Sequence, residues 1–294
     1  MPLVATLAHQ PFWISSGTRI VIYALAAVGL DLLVGYGALV SFGHAAYFAL
    51  GGYVVAILAS NGVDSALVTW PCAVLAAAAL AALVGALSLR TTGVFFIMIT
   101  LAFAQMVYFA IIAVRAYGGG DGFSLTARSS LPLIDLRDPI VFYGVCLVAL
   151  CVFTYLASRI VGSRFGMILR GAAQSERRLT ALGFPVFRYR LVAFIIAGSA
   201  AGLSGALWAE YAKFVSPDMA SWSRSGEFLV MVILGGMGSL VGAVYGAAAL
   251  LGLESVLAGF TEHWMIVLGA LLVTVVLFAK RGLFGWLAGT RSDG

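Results

Sequence analysis

The chain has 294 residues, of which 62% are hydrophobic and only 10% are charged. Soluble domains carry roughly 25% charged residues, so this composition argues against a soluble protein and indicates a membrane protein. The formal net charge of +5 would suit nucleic-acid binding in a soluble protein. Here the basic residues cluster in loops between apolar segments, which is how membrane orientation is set, so nucleic-acid binding is disfavoured.

The apolar segments recur along the whole chain without a polar half, so we predict one transmembrane domain over residues 1–294. The three cysteines lie within apolar segments and show no metal-type pairing with the histidines, so we interpret them as core residues. No basic region and no cleavage pattern precede the first apolar segment. We therefore expect the first span to remain in the mature protein.

A helix needs about 20 apolar residues to cross the hydrocarbon core of a bilayer. Five segments fit this length and are each predicted to span once: 67–89, 94–114, 139–158, 191–209 and 263–279. Glycines interrupt two longer segments, 32–63 and 228–253, where we expect interrupted helices. Residues 226–236 are predicted to be a re-entrant half-helix that turns back near mid-membrane, and 240–258 to return outward. The predicted fold is an all-α polytopic membrane helix bundle of about eight spanning helices.

Basic residues predict the orientation of this bundle. One loop, at about 160–190, is flanked by or contains Arg159, Arg164, Arg170, Arg177, Arg178, Arg188 and Arg190. Arg90, Lys280, Arg281 and Arg291 fall on the same predicted side. The opposite side receives Asp64, Asp121, Asp135, Asp138, Asp218 and Glu262, and includes an outer loop at about 115–138. The positive-inside rule then predicts an N-terminus outside and a cytoplasmic C-terminus.

The two interrupted segments share a weak internal repeat. Ser41, Ala45, Tyr47 and Ala49 recur at the same spacing as Ser239, Ala243, Tyr245 and Ala247. Corresponding interrupted segments in two halves of a chain point to a transporter's solute path. The alternative is that the glycines and other small residues only allow helices to approach closely. Both interpretations remain open.

We consider three ionisable residues that we place in the bilayer region. His44 suggests function because an ionisable group in an apolar segment is costly, but a neutral histidine bonded to a neighbouring helix fits equally well. Asp31 and Glu254 are the acids that we place in the bilayer region. Each could cap a helix, form a pair or reach the interface, and a proton relay is the less favoured alternative.

Residues 163–183 are predicted to form a short amphipathic helix that ends at a glycine. Its apolar positions are Phe165, Ile168, Leu169, Ala172, Leu179 and Leu182, and its polar positions are Arg170, Gln174, Arg177 and Arg178. Such a helix can dock into a groove on a partner or lie on anionic lipid headgroups. The sequence contains no nucleotide-binding loop, catalytic triad or metal-ligand spacing, so any ATP that drives transport binds another chain.

Four segments, taken in order, resemble a known family. They are Ser-Phe-Gly-His-Ala-Ala at 41–46, Thr-Leu-Ala-Phe-Ala-Gln-Met at 100–106, the segment 163–183 with its continuation 191–205, and Leu-Gly-Gly-Met-Gly-Ser at 234–239. They resemble the branched-chain amino acid ABC transporter permeases, in particular the LivM-like half of the LivH/LivM pair. The resemblance covers about residues 30–285. At 174–176 this chain has Gln-Ser-Glu, where the family more often has an Arg-Glu-Asn-Glu-like sequence.

The resemblance implies a permease subunit of an ATP-driven importer in the bacterial inner membrane. Its implied partners are a homologous LivH-like permease, two cytoplasmic ATPase subunits that bind ATP and Mg, and a periplasmic solute-binding protein. This chain itself would bind no cofactor. The family's substrates include branched-chain and other amino acids, urea or short amides, and some carboxylates. We expect alternating access rather than catalysis.

Two sets of candidate residues follow. The predicted substrate pathway comprises Ser41, Gly43, His44, Tyr47, Gln105, Gly235, Gly236 and Ser239. The predicted ATPase-coupling residues are Arg164, Phe165, Arg170, Gly171, Glu176, Arg177, Leu182 and Gly183. A passive channel or ion-coupled carrier is the main rival, although it leaves the segment 163–183 without a role. A membrane-embedded enzyme ranks last because no polar cluster is apparent.

Overall fold

A computed structural model of the chain describes residues 11–125, 128–131 and 135–260, together with the single residues 266 and 269. The described helices are α1 (Pro11–Gly37), α2 (His44–Ser60), α3 (Ala66–Ser88), α4 (Val94–Ala113), α5 (Pro139–Val161), α6 (Arg164–Gln174), α7 (Glu176–Ala181), α8 (Val186–Ala212), α9 (Trp222–Gly235) and α10 (Leu240–Phe260). Two short 3₁₀ helices, Arg115–Tyr117 and Pro217–Ala220, and two two-residue strands, β1 (Phe123–Ser124) and β2 (Phe214–Val215), complete these elements.

The predicted all-α membrane bundle is confirmed at this level. Six described helices, α1, α3, α4, α5, α8 and α10, are long and apolar enough to cross a membrane. Helix α2 is shorter, with 17 residues, and α9 has only 14. The predicted span 263–279 and the C-terminus lie outside the described residues, apart from 266 and 269. A count of about eight spans therefore stays a prediction.

Helices α1 and α8 form the centre of the bundle and run antiparallel. The Ser204 hydroxyl of α8 donates to the Ile22 carbonyl of α1 at 2.5 Å. Helix α2 runs parallel to α8, because Gly51 lies against Gly202 and the Tyr47 ring lies near the start of α8. A β-carbon at Gly51 would fall on the Gly202 carbonyl. Small residues thus allow these helices to approach closely, as in other membrane bundles.

The interruption predicted in 32–63 lies at residues 38–43, but it is not a break within one helix. Helices α1 and α2 run in opposite directions along α8, so residues 38–43 reverse the chain. The physical reason is that α1 ends at Gly37 and Ala38 takes a left-handed backbone conformation, with φ of 51°. The helix then restarts only at His44.

The second interruption, at residues 236–239, also reverses the chain. Helices α9 and α10 are antiparallel, with Gly235 against Gly242 and Gly246 against the Met231 carbonyl. Helix α9 is about 21 Å long at 1.5 Å per residue, too short to cross about 30 Å of hydrocarbon. Its turn lies beside Gly35, near the carboxyl end of α1 rather than at its middle.

The loops gather at two ends of the bundle. At one end β1 pairs with β2, and the Ser130 N–H donates to the Asp64 carbonyl at 2.6 Å. The opposite end holds α6 and α7, with Leu169 against Gly37 at the end of α1. The acidic loops and the arginine-rich segment therefore lie at opposite ends, as the charge pattern predicts.

Candidate permeation and coupling site

The first chain reversal is held by side chains from two other helices. The Phe42 N–H donates to the Thr100 hydroxyl of α4 at 3.2 Å. The Ala45 N–H donates to the Ser225 hydroxyl of α9 at 3.0 Å. Ser41 accepts a bond from the Gly43 N–H at 3.2 Å. These bonds satisfy backbone donors that a helix start leaves free, which allows the irregular backbone to remain buried.

The second reversal is held in a related way. The Gly238 N–H donates to Oδ1 of Asp31, on α1, at 2.8 Å. Ser239 accepts from the Gly242 N–H at 3.1 Å, much as Ser41 accepts from Gly43. Gly236 and Gly238 have φ of 106° and 81°, which side-chain-bearing residues rarely adopt. The turn therefore depends on glycine for its shape.

The predicted internal repeat is partly reflected in the structure. Both serines bond backbone N–H groups near the start of the helix that follows a reversal. The paired alanines are buried at both positions: Ala45, Ala243, Ala49 and Ala247. The tyrosines differ, because Tyr47 is buried whereas Tyr245 is 49% exposed. The two reversals are thus similar in backbone support but not in their surroundings.

Several predicted pathway side chains are enclosed. Ser41, His44 and Tyr47 are at most 1% exposed. The His44 ring packs edge-on against Tyr47 and Phe194, and neither of its nitrogens has a hydrogen-bond partner among the described residues. Gln105 lies on α4, one position beyond the buried Ala104, and is partly exposed.

The three glycines of the predicted substrate pathway differ in what the structure requires of them. A β-carbon at Gly235 would fall on the Gly242 carbonyl, so Gly235 serves close packing of α9 on α10. Gly236 is required by its backbone conformation. At Gly43 a β-carbon would make ordinary contacts of 3.5 Å with Ser41 and Thr100. The packing interpretation therefore accounts for Gly235, while pathway lining by the other residues stays a prediction.

A charged cluster that joins α1, α9 and α10 was not apparent from the sequence, apart from Glu254. Arg19 donates to both Glu254 carboxylate oxygens, at 2.9 and 3.0 Å, so the pairing alternative applies to this acid. Arg224 donates to Glu227 at 2.8 Å and to the Tyr23 hydroxyl at 2.9 Å. Arg224 and Glu227 are three residues apart on α9, but the bonds to Tyr23 and between Arg19 and Glu254 join residues far apart in sequence, for which periodicity gives no signal. Through these ion pairs and hydrogen bonds the cluster connects α9 and α10 to α1.

A further buried acid, Glu210, corrects the prediction that only Asp31 and Glu254 lie in the spans. It is fully buried on α8 and accepts a bond from the Trp70 indole at 2.9 Å. The Arg128 guanidinium donates to the Glu210 backbone carbonyl at 3.1 Å. In the part of the chain that the structure describes, no three metal-type ligands come together.

The predicted single helix 163–183 is wrong in one respect, because the structure has two helices, α6 and α7. They separate at Ser175, whose backbone is extended, with φ of −158° and ψ of 97°. The Ser175 hydroxyl accepts from the Arg178 N–H and caps α7. The Ser163 hydroxyl caps α6 in the same way, accepting from the Phe165 N–H at 3.2 Å.

The predicted coupling residues divide into anchored and exposed sets. Phe165 packs on Tyr189, with ring centroids 5.4 Å apart. Glu176 pairs with Arg190 at 2.6 Å, so its carboxylate holds α7 to α8 rather than standing free. Gly171 lies against Leu179. The exposed members are Arg164, Arg170, Arg177, Leu182 and Gly183.

Two apolar side chains of this segment are strongly exposed at the arginine-rich end. Leu182 is 68% exposed and Met167 is 67% exposed. Helical spacing predicts Leu182 on the buried face, but the break at Ser175 removes α7 from the α6 register. Met167 belongs to neither of the two predicted helix faces. Exposed apolar side chains beside exposed arginines can contact either a partner chain or lipid.

The segment also contacts the carboxyl end of α1. Leu169 lies 3.6 Å from the position of a β-carbon at Gly37. The Arg170 guanidinium lies over the Tyr36 ring, 6.0 Å from its centroid. Tyr36 in turn lies beside the Leu240 backbone N–H, just after the second reversal. Contacts therefore connect α6 with α1 and, through Tyr36, with Leu240 after the 236–239 turn.

Comparison with known proteins identifies the family. Residues 14–276 match the family model described as branched-chain amino acid transport system, permease component. The LivM permease protein of the high-affinity branched-chain amino acid transport system is 27% identical in Salmonella typhimurium and 29% identical in Escherichia coli, each match covering 96% of this chain and 73% of the relative. The LivH permease protein of Salmonella typhimurium is 24% identical over 90% of this chain and 91% of that protein. No solved structure matches. The chain belongs to the family of permease components of branched-chain amino acid transport systems.

Proposed function

We propose that this chain is one permease subunit of an ATP-driven importer that moves branched-chain amino acids across the bacterial inner membrane. Its membership of the permease family over residues 14–276 carries this proposal. The similarity to two LivM proteins over nearly the whole chain supports the LivM-like position in the complex. The chain then acts in transport and not as an enzyme.

The partners follow from the same proposal. A homologous LivH-like permease completes the membrane channel, two cytoplasmic ATPase subunits bind ATP and Mg, and a periplasmic protein delivers the solute. The exposed Leu182 and Met167 and the exposed arginines of α6 and α7 give the ATPases a surface to dock on. Leu182 is the C-cap of α7, beyond the break at Ser175, so α6 and α7 do not form the one continuous amphipathic helix that lies on lipid.

The two reversals border the proposed solute path. Residues 38–43 and 236–239 are irregular backbone that packs against helices, with Ala38 and Met237 exposed, and such backbone is tolerated at membrane depth where it lines a cavity or packs in protein. Ser41, His44 and Tyr47 are enclosed in this structure, as a closed gate requires. Alternating access opens this region to one side at a time.

The orientation completes the proposal. The arginine-rich end with α6 and α7 faces the cytoplasm, and the end with β1 and β2 faces outward. This gives an N-terminus outside and a cytoplasmic C-terminus. The α9–α10 pair then enters from the outer side, and its turn lies beside Gly35 near the cytoplasmic end of α1.

Uptake by purified components tests the function. The complete complex is reconstituted in lipid vesicles and supplied with labelled L-leucine, the binding protein and ATP. We expect uptake that unlabelled isoleucine and valine suppress and that urea, acetamide and benzoate do not. Suppression by urea or a carboxylate alone would assign the chain to the other substrates of its family.

A further inference from the structure

Asp31 is a buried acid whose hydrogen bonding is incomplete. It lies on α1, six residues before the end of that helix, and its side chain is fully buried. Oδ1 accepts from the Gly238 N–H at 2.8 Å, but Oδ2 has no partner among the described residues. A buried carboxylate is costly unless donors or a cation satisfy both oxygens. The single bond from the Gly238 N–H therefore leaves one of the two carboxylate oxygens of Asp31 without a donor.

Glycines border Asp31 on the side of the 236–239 turn. A β-carbon at Gly35 would fall on both the Asp31 carboxylate and the Gly238 backbone. Gly236 and Gly238, in the adjoining turn, have positive φ values that favour glycine. Of the ion pairs in the described part of the chain, none includes Asp31. The carboxylate thus meets bare backbone at the predicted solute path, without a counter-charge.

Glu210 provides an internal comparison. It is also fully buried, and one of its oxygens, Oε2, also has no partner. Glu210 differs in that the Trp70 indole donates to its other oxygen, and the Arg128 guanidinium donates to its backbone carbonyl. It lies at the opposite end of the bundle, near the end of α8. Glu210 is thus a buried acid away from the 236–239 turn, whereas Asp31 bonds that turn directly.

We propose that Oδ2 of Asp31 accepts a hydrogen bond from the ammonium group of the transported amino acid when the helix bundle opens beside the 236–239 turn. Oδ1 meanwhile keeps its bond to Gly238 and positions the turn. An ammonium group supplies both a positive charge and three donors, which a buried carboxylate requires. This inference rests on the proposed function and narrows it, because urea, amides and carboxylates lack that cation.

Replacing Asp31 by asparagine tests the proposal in the complete reconstituted complex. Asp31→Asn keeps an oxygen for the Gly238 N–H and removes the charge. We expect leucine uptake to fall at least about tenfold, the effect of losing one charge-assisted bond, while ATPase assembly and basal ATP hydrolysis stay at wild-type levels. Glu210→Gln is the matched control and should keep uptake within about twofold, as expected of a site without contact to solute. Wild-type uptake by Asp31→Asn, or an equal loss in Glu210→Gln, would overturn the proposal.

A labelling experiment keeps the proposal testable if Asp31→Asn does not assemble. Met237, in the turn, is 60% exposed, so Met237→Cys places a reactive thiol there. In an otherwise unaltered complex, millimolar L-leucine should change the rate of maleimide labelling, and its deaminated analogue 4-methylpentanoate should not. Equal responses to both compounds, or none to leucine, would contradict an ammonium site. Loss of ATP-dependent uptake in the wild type would instead refute the proposed function itself.

Discussion

Leu182 offers a direct test of ATPase docking. Burying a whole leucine side chain is worth about 1.5–3 kcal/mol, and 68% of Leu182 is exposed. Covering that remaining surface by a partner therefore contributes about 1–2 kcal/mol. At about 1.4 kcal/mol per tenfold, Leu182→Ala should weaken ATPase association about 5- to 30-fold. Because the side chain has few internal contacts, the stability of the chain itself should change by no more than about 0.5 kcal/mol.

The assay is a titration of the purified ATPase onto the permease pair in detergent or nanodiscs. Leu75→Ala is the matched control, because Leu75 is 67% exposed but lies on the spanning helix α3. It should leave the dissociation constant unchanged. If Leu182→Ala binds ATPase as tightly as the wild type, or if Leu75→Ala weakens binding equally, the docking role of this segment is refuted.

Three further changes have defined outcomes. Glu176→Ala leaves the guanidinium of Arg190, which is 8% exposed, without its carboxylate partner. The free energy of unfolding should fall by about 1–2 kcal/mol, less than for a fully buried pair because Glu176 is half-exposed. An unchanged melting temperature would contradict this expectation. Gly205→Ala places a β-carbon on the Phe48 carbonyl, so the free energy of unfolding should fall by about 1–3 kcal/mol in a melting assay. Wild-type stability would show that α2 and α8 separate easily. Gly236 has φ of 106°, so Gly236→Ala should introduce about 1–3 kcal/mol of backbone strain. Leucine uptake should slow while the ATPase still assembles with the permease. Unaltered uptake would refute a role for the turn.

Much of the fold is predictable because lipid restricts the alternatives. The segments 67–89, 94–114, 139–158 and 191–209 correspond to α3, α4, α5 and α8. Only helices satisfy their backbone groups in hydrocarbon, so a long apolar segment specifies a helix directly. The glycine-rich positions of the two reversals were also apparent. Their nature was not, since the direction of α2 depends on its packing along α8.

The candidate site was less predictable for physical reasons. The bond between Asp31 and Gly238 joins residues 207 positions apart, and the pairs around Arg224 also involve distant helices. No local periodicity encodes such contacts. In the coupling segment, the cap and extended backbone of Ser175 outweigh the apolar spacing that favours one helix. Leu182, which lies beyond this break, is exposed.

The central claim is that this chain transports solute only as part of an ATP-driven complex. The most direct measurement compares initial rates of labelled leucine uptake into vesicles that contain this chain alone, the complete complex, or the complex with a hydrolysis-deficient ATPase. We expect uptake only by the complete complex with ATP. Equal uptake by this chain alone, indifferent to ATP, would contradict it.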